Sequence, residues 1–392
     1  MKGKWFAFGC LTSIVVIVAI IFSIFYTLIK MGDSFKTDKK LKIPSGSYLS
    51  LALKGEIAEY SEFDDSIFGQ DKSFAHEIIH KINRAGTDDN ITGIILEPHM
   101  ISCGYAVMNE IKQALDNFSS RGKPVYAYLE TALNKDYLLA CSADKIYLNP
   151  SSSAGIILTG VGGEILFYKE MFDKIGVEFN VIHAGKYKGA GETFSRDQFT
   201  KPVTDNLDLL FEDIYQNLLT TISTDRQLPR ESVRAIFETR KEIFINRENA
   251  LDSGLVDQLI YHDEFIENIG INSDQLINWS KYTMPVFRTS EQQIAVVYLQ
   301  GDITSAEGNY SISTINYQKL NKIIEDIEKD DQVKGVVLRI NSPGGSALES
   351  ENIYSRLEKL NSKKPIVVSM SNVAASGGYY ISAGADYIYA DP

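Results

Sequence analysis

Four short runs carry side chains whose type and spacing could do chemistry. Residues 76–80 read HEIIH. On a helix, a His-Glu-x-x-His run sets two imidazoles one turn apart on one face, where they can hold Zn²⁺ while the glutamate serves as general base. Residues 341–347 (NSPGGSA) and 374–380 (AASGGYY) each follow an apolar, β-branched run with small residues. Ser376, flanked by Ala375, Gly377 and Gly378, is a nucleophile candidate, because a tight turn exposes Oγ while backbone N–H groups point at a developing oxyanion. The plain alternative for each run is a glycine turn that caps a helix. A serine also needs a base. The five histidines (His76, His80, His99, His183, His262) all precede residue 286, and none stands in a triad context. Lysine is the other choice. HAGKYKGAGETFSRD (183–197) sets Lys186 and Lys188 among small residues, an odd place for a long cation unless it enters a confined site. The ordinary role for either lysine is surface solvation.

The chain that must position these groups has 392 residues, too long for one ordinary core, so two or more domains are expected. A formal net charge of −12 argues against nucleic acid as a partner, because phosphate binding runs on clustered Lys and Arg. Three cysteines (Cys10, Cys103, Cys141) make no disulfide framework and no CxxC metal site, although a Cys103–Cys141 bridge is open. Positions 5–29 (WFAFGCLTSIVVIVAIIFSIFYTLI) contain no charge and no proline. At about 1.5 Å per residue such a helix crosses a hydrocarbon core of about 30 Å. No cleavage site follows, so residues 1–31 read as an uncleaved anchor and 32–48 as a polar tether. Lysines flank the span on both sides, and charge gives no vote on orientation.

The chain also repeats itself. DDNITGIIL (88–96) returns as DDQVKGVVL (330–338), and YLLACSADKIYLNP (137–150) as YYISAGADYIYADP (379–392), both at an offset of 242. The register slips by one around Pro124 and Pro365, and LKGEIAEY (53–60) matches LQGDITSA (299–306) at an offset of 246. A period this long means two copies of a domain. Within each copy short apolar strands alternate with amphipathic helices, such as the one carrying Leu320, Ile324 and Ile327. That pattern predicts an α/β fold with a parallel sheet. The first copy spans 49–202, a mostly helical extension 203–285, and the second copy 286–392. Pro150 is followed by more of the first copy, whereas the chain ends at Pro392, so the second copy reads as incomplete.

Alignment of the copies settles how the His-Glu-x-x-His run is read. His76, Glu77 and His80 fall opposite Gln318, Lys319 and Lys322, and Ile78 and Ile82 opposite Leu320 and Ile324. The histidines thus belong to the polar side of a packing helix. No third histidine follows at metzincin spacing, and nothing singles out Glu97 or Glu110 as a third ligand. No metal and no cofactor is expected. Opposite NSPGGS the first copy has HMISCG, and opposite AASGGYY it has ALNKDYL, with Asn134 at or within a residue of the serine's place. One copy is equipped for catalysis and the other is not.

AASGGYY, NSPGG and GKYKGA, in a chain with an N-terminal anchor and two copies of one domain, resemble the signal peptide peptidase A family of Ser/Lys proteases (family S49) in its long, tandem-repeat form. The resemblance covers essentially the whole chain. It implies the fold of the Clp protease and crotonase superfamily in both copies. It implies Ser376 as nucleophile, Lys188 rather than Lys186 as general base, and Gly344, Gly345 and Gly377 as the oxyanion hole. It further implies apolar peptide substrates such as remnant signal peptides. The expected setting is a homo-oligomeric ring, a tetramer, anchored by a single span in the bacterial inner membrane with its catalytic domains outside the cytoplasm. A lysine at its ordinary pKa of about 10.4 is only about 0.1% neutral near pH 7.4, so such a base has to be desolvated. The competing readings are a crotonase-like acyl-CoA enzyme, a non-catalytic scaffold and a zinc protease. The first explains neither the anchor nor the Ser376/Lys188 pair.

Overall fold

The computed structural model describes residues 22, 23, 26, 43–60, 73–238, 243–282, 291–305 and 314–391. Apart from three positions, the expected anchor lies outside the described residues, as does the tether up to residue 42. Among the described residues no helix is long and apolar enough to cross a membrane.

The β-branched runs become parallel strands, buried on both faces along most of Ile91–Ser102 and Val333–Ser342. In the first copy Ser47–Ala58, Ile91–Ser102, Val125–Leu129 and Lys145–Leu148 lie side by side, all parallel. Two short strands complete this sheet at its edges: Leu276–Asn278 beside Ser47–Ala58, and Gln258–Leu259 beside Lys145–Leu148. Both come from the extension, which otherwise folds mainly as the helices Lys201–Asp225, Arg230–Glu238 and His262–Ile269.

In the second copy Gln293–Gln300, Val333–Ser342, Ile366–Ala374 and Tyr387–Tyr389 repeat the arrangement as a four-stranded parallel sheet. The helices Ala75–Thr87 and Tyr105–Ser119 have counterparts in Tyr317–Lys329 and Ala347–Asn361, each of equal length. The one-residue slip falls where the alignment put it. Ile94 N donates to Pro124 O, and Val336 N donates to Pro365 O, both at 2.9 Å.

Each copy has its own apolar core. Ile78, Ile82 and Ala85 seat their helix on Leu51, Ile94 and Leu96, while Leu320, Ile324 and Ile327 do the same on Leu299 and Leu338. The opposite faces differ. In the first copy the helix His262–Ile269 lays Phe265 over Ile95, Tyr128 and Tyr147. In the second copy Ile294 and Val296 are exposed, and Arg339 turns toward the first copy.

Candidate active site

The second copy brings its two small-residue runs together at the carboxyl edge of the sheet, where open α/β sheets bind ligands. Val333–Ser342 runs into Pro343-Gly344-Gly345, and Ile366–Ala374 runs into Ala375-Ser376. Both glycines have positive φ, 97° and 153°, and neither has room for a side chain. A Cβ on Gly344 would sit 2.5 Å from Gly377 N, and one on Gly345 would sit 2.1 Å from Ile303 O. The two turns are thus pressed backbone to backbone at Gly344, while Gly345 lies against the backbone of Ile303, both of which glycine permits.

Ser376 is held at φ 49°, ψ −115°, a conformation a residue with a Cβ rarely adopts. Such strain costs roughly 1–3 kcal/mol and persists only where neighbours over-determine it. Here Ala375 N donates to Ser342 O, Gly378 N to Ala375 O and Tyr380 N to Ser376 O. The turn leaves the Ser376 side chain exposed.

Lys188 arrives from the first copy, on an irregular stretch between the short helices Lys169–Lys174 and Glu192–Ser195. The stretch is anchored just beyond it. Buried Glu192 accepts from Thr200 N at 2.7 Å and Thr200 Oγ1 at 2.8 Å, and the backbone bond in particular holds its carboxyl below the usual range. Gly189 packs on Val203 and Gly191 on Val181, each too closely for a Cβ. From this base Lys188 Nζ donates to Ser376 Oγ at 3.0 Å. Lys186 lies 4.9 Å from the centre of the Tyr187 ring, so of the two lysines it is Lys188 that meets the serine.

With this geometry in place, comparison with known proteins is direct. Peptidase family S49 matches residues 117–275 and 358–392, segments that contain Lys188 and Ser376 respectively. The chain is 30% identical over 369 residues to a chloroplastic serine protease SPPA of Arabidopsis thaliana, covering 89% of this chain and 52% of that protein. It is 34% identical over 334 residues to Protease 4 of Salmonella typhi, covering 81% and 53%. It is 30% identical over 384 residues to Protease 4 of Haemophilus influenzae, covering 90% and 62%. The chain belongs to peptidase family S49. It spans about half to three-fifths of the length of these curated relatives.

Within this S49 chain the three candidate oxyanion glycines are not equivalent. Gly344 N is already donated to Ser342 Oγ at 3.1 Å, and the buried Ser342 hydroxyl donates in turn to Gly301 O at 2.6 Å. Gly344 therefore shapes the turn rather than offering a free donor. Neither the Gly345 N–H nor the Gly377 N–H is given to another group among the described residues.

The setting of the lysine also corrects the sequence reading. A confined place was expected for Lys188, yet both it and Ser376 are open to solvent in this chain. The segment that carries Lys188 lies on the surface, and its Ile165, Leu166, Ile175 and Ile182 are exposed as well.

At the equivalent turn of the first copy a buried carboxylate ties the backbone together. Asp136, fully buried, accepts from Ile101 N at 2.9 Å, Leu133 N at 2.9 Å and Met100 N at 3.2 Å. Asn134, in the serine's place, is tied to Thr159 through both its amide nitrogen and its oxygen.

The remaining candidates have other duties. His76 packs against Tyr60, Phe74 and Tyr298, and its Nδ1 lies 3.2 Å from Glu59 O. Glu77 pairs with Lys81 at 2.7 Å, and His80 is exposed. Glu97 pairs with His262 at 2.7 Å and Glu110 with Arg339 at 2.6 Å, so both proposed third ligands are engaged away from the two histidines. Burial raises the Glu110 carboxyl even so, with Arg339 opposing the shift. Cys103 and Cys141 are free thiols rather than a bridge, pushed by burial up to about 11 and about 12.

Sequence reasoning missed the residues that join the copies: Glu59, Arg339 and Asn372. The available signal was Arg339 itself, a cation inside the apolar strand run VVLRI, which has to find a partner if the strand is buried.

Proposed function

We propose that this protein is a membrane-anchored serine endopeptidase in which Ser376 is the nucleophile and Lys188 the general base. The observation that carries this reading is the 3.0 Å hydrogen bond between Lys188 Nζ and Ser376 Oγ, made between residues from two different copies of the domain. In its neutral form the Lys188 amine takes the hydroxyl proton as Ser376 Oγ attacks the scissile carbonyl carbon. The resulting oxyanion is received by the N–H groups of Gly345 and Gly377. The Lys188 ammonium then gives its proton to the departing amine as the C–N bond breaks. Water, deprotonated by Lys188, releases the acyl group and restores the serine.

Apolar peptides such as remnant signal peptides fit as substrates. Leu348, Val373 and Tyr379 stand exposed beside the two turns, and an apolar ligand laid over them would exclude water from the lysine and favour its neutral form. The uncharged run 5–29 supports a membrane anchor next to such peptides, and the family resemblance alone carries the placement of the catalytic domains outside the cytoplasm of a bacterium. A homo-oligomeric ring would cover the same surface, and exposed Ile165, Leu166, Ile182, Leu209 and Leu210 support packing against a second copy of the chain.

A fluorophosphonate probe followed by peptide mapping tests the proposal. Labelling confined to Ser376, and lost in Lys188→Ala, is the expected result. Absence of labelling, with Lys188 and Ser376 intact, would favour the scaffold reading.

A further inference from the structure

Because the nucleophile and the amine belong to different copies, the two sheets have to be held in register to a fraction of an ångström. Two contacts near the site do this. Arg339 stands on Val333–Ser342, the strand that runs into the Gly344–Gly345 turn, and is only 7% exposed. Its Nε and Nη2 donate to Glu59 at 3.1 and 2.9 Å, and its Nη1 and Nη2 donate to Glu110 at 2.6 and 3.0 Å. Nη1 also donates to Ser369 Oγ at 2.8 Å, which leaves no N–H of the guanidinium unused. Glu59 directly follows the first copy's strand Ser47–Ala58, and Glu110 lies on its helix Tyr105–Ser119. Ser371 donates to Glu59 as well.

The second contact is four residues before the serine. Asn372 Oδ1 accepts from Val107 N at 3.3 Å, in the first turn of the helix Tyr105–Ser119. That helix begins at Gly104, which has no side chain to cap it, and a Cβ there would fall 1.8 Å from Asn372 Oδ1. An asparagine of one copy thus caps a helix of the other. Buried ion pairs contribute uncertainly to stability, and their best-attested use is to fix register.

We propose that Arg339 is a positioning residue for the Ser376–Lys188 pair: its fork, seated on Glu59 and Glu110, sets the second copy against the first, and Asn372 pins the strand that ends at Ser376. The inference rests on the reading of that pair given above. A lysine cannot replace the arginine, because one ammonium does not present a planar fork to two carboxylates at once.

The test uses two readouts on the full chain. The first is the rate at which a fluorophosphonate labels Ser376. The second needs no activity: in a Lys188→Cys/Ser376→Cys variant, a short bis-maleimide joins positions 188 and 376, and the crosslink is followed by peptide mapping. Arg339→Lys is expected to slow both by about tenfold, the scale of a misplacement near 1 Å or less. Because a lost cation can unfold the chain, Glu59→Gln/Glu110→Gln/Arg339→Met, which removes all three charges together, is measured beside it and is expected to slow both readouts while far-UV circular dichroism stays unchanged. Labelling and crosslinking within about twofold of the wild type in either variant would overturn the proposal, since a 1 Å loss of register costs far more. Slower labelling with unchanged crosslinking would overturn it too, because Arg339 would then act by some route other than position. A wild type unlabelled at Ser376, together with crosslinking of the Lys188→Cys/Ser376→Cys variant that still falls when Arg339→Lys is added, would count against the Ser/Lys reading and support the registration.

Discussion

The two copies of the domain share strand order, helix lengths and even the proline-marked slip in register, yet they treat the same turn in opposite ways. In the first copy the N–H groups of Met100, Ile101 and Leu133 converge on the buried Asp136 carboxylate, so the turn is tied up by one of its own side chains. In the second copy the residue at the position of Asp136 is Gly378, which supplies no side chain, and the turn around Ser376 keeps unused donors. Donors satisfied by the fold stabilise it; donors left over can act on a substrate. The difference between a structural and a chemical copy comes down to whether the turn closes on itself.

The same substitution made in both copies should therefore separate them most sharply. Ser376→Ala, and equally Lys188→Ala, is expected to lower cleavage of an apolar peptide by about 10³-fold or more. Asn134→Ala, at the twin position, should leave cleavage within about twofold, and so should Lys186→Ala, since neither residue touches the reacting atoms. Peptide hydrolysis by the four variants checks this, and a comparable loss from Asn134→Ala would erase the distinction between the copies.

Stability should show the reverse preference. Asp136→Ala leaves three N–H groups without their acceptor, that of Ile101 buried and those of Met100 and Leu133 part-buried, and is expected to destabilise the first copy by roughly 2–3 kcal/mol. Urea unfolding followed in the far ultraviolet measures it. A change below about 1 kcal/mol would mean that water or a rearranged backbone takes over the carboxylate's role.

A smaller contrast lies between the packing helices. Glu328 and Arg356 pair at 3.0 Å in the second copy, whereas the twin positions 86 and 114 hold glycine and alanine. Hydrogen bonds from Arg356, then Lys363, hold the Glu328 carboxyl at about 2. Its folded value is thus depressed, so the pair contributes fully above the ordinary carboxylate value and loses its contribution as pH falls toward about 2. Partial solvent screening limits the coupling to about 1 kcal/mol, measurable as a double-mutant cycle at pH 7 that vanishes near pH 2. The smallest effect is expected at the His-Glu-x-x-His run: His80→Gln should be silent, and chelators should leave cleavage unchanged. Zinc recovered in stoichiometric amount and lost with activity in His80→Gln would reverse that view.

What could be read from the sequence follows from how local each signal is. The helix face of Leu320, Ile324 and Ile327 repeats every three or four residues, so its burial was plain from spacing alone. Ser376 stood out because alanine and glycine around a serine after a strand have few other uses. Choosing Lys188 over Lys186 needed the family resemblance, since two lysines two residues apart look alike until one is seen over Tyr187. The edge strands Gln258–Leu259 and Leu276–Asn278 are too short to show any period. Asp136 carries no local signal, because two of its three acceptor bonds come from a strand more than thirty residues away. Arg339 was hidden within VVLRI, because its partners Glu59 and Glu110 are separated from it by 280 and 229 residues.

The central claim is that one chain supplies both halves of the pair, Lys188 from its first copy and Ser376 from its second. Co-expression of Ser376→Ala and Lys188→Ala chains, with the mixed protein purified and assayed for peptide cleavage, tests it most directly. The account predicts no activity, because every chain then carries one broken half. Recovery of roughly a quarter of the wild-type activity, the share expected when halves combine at random between neighbouring chains, would contradict it.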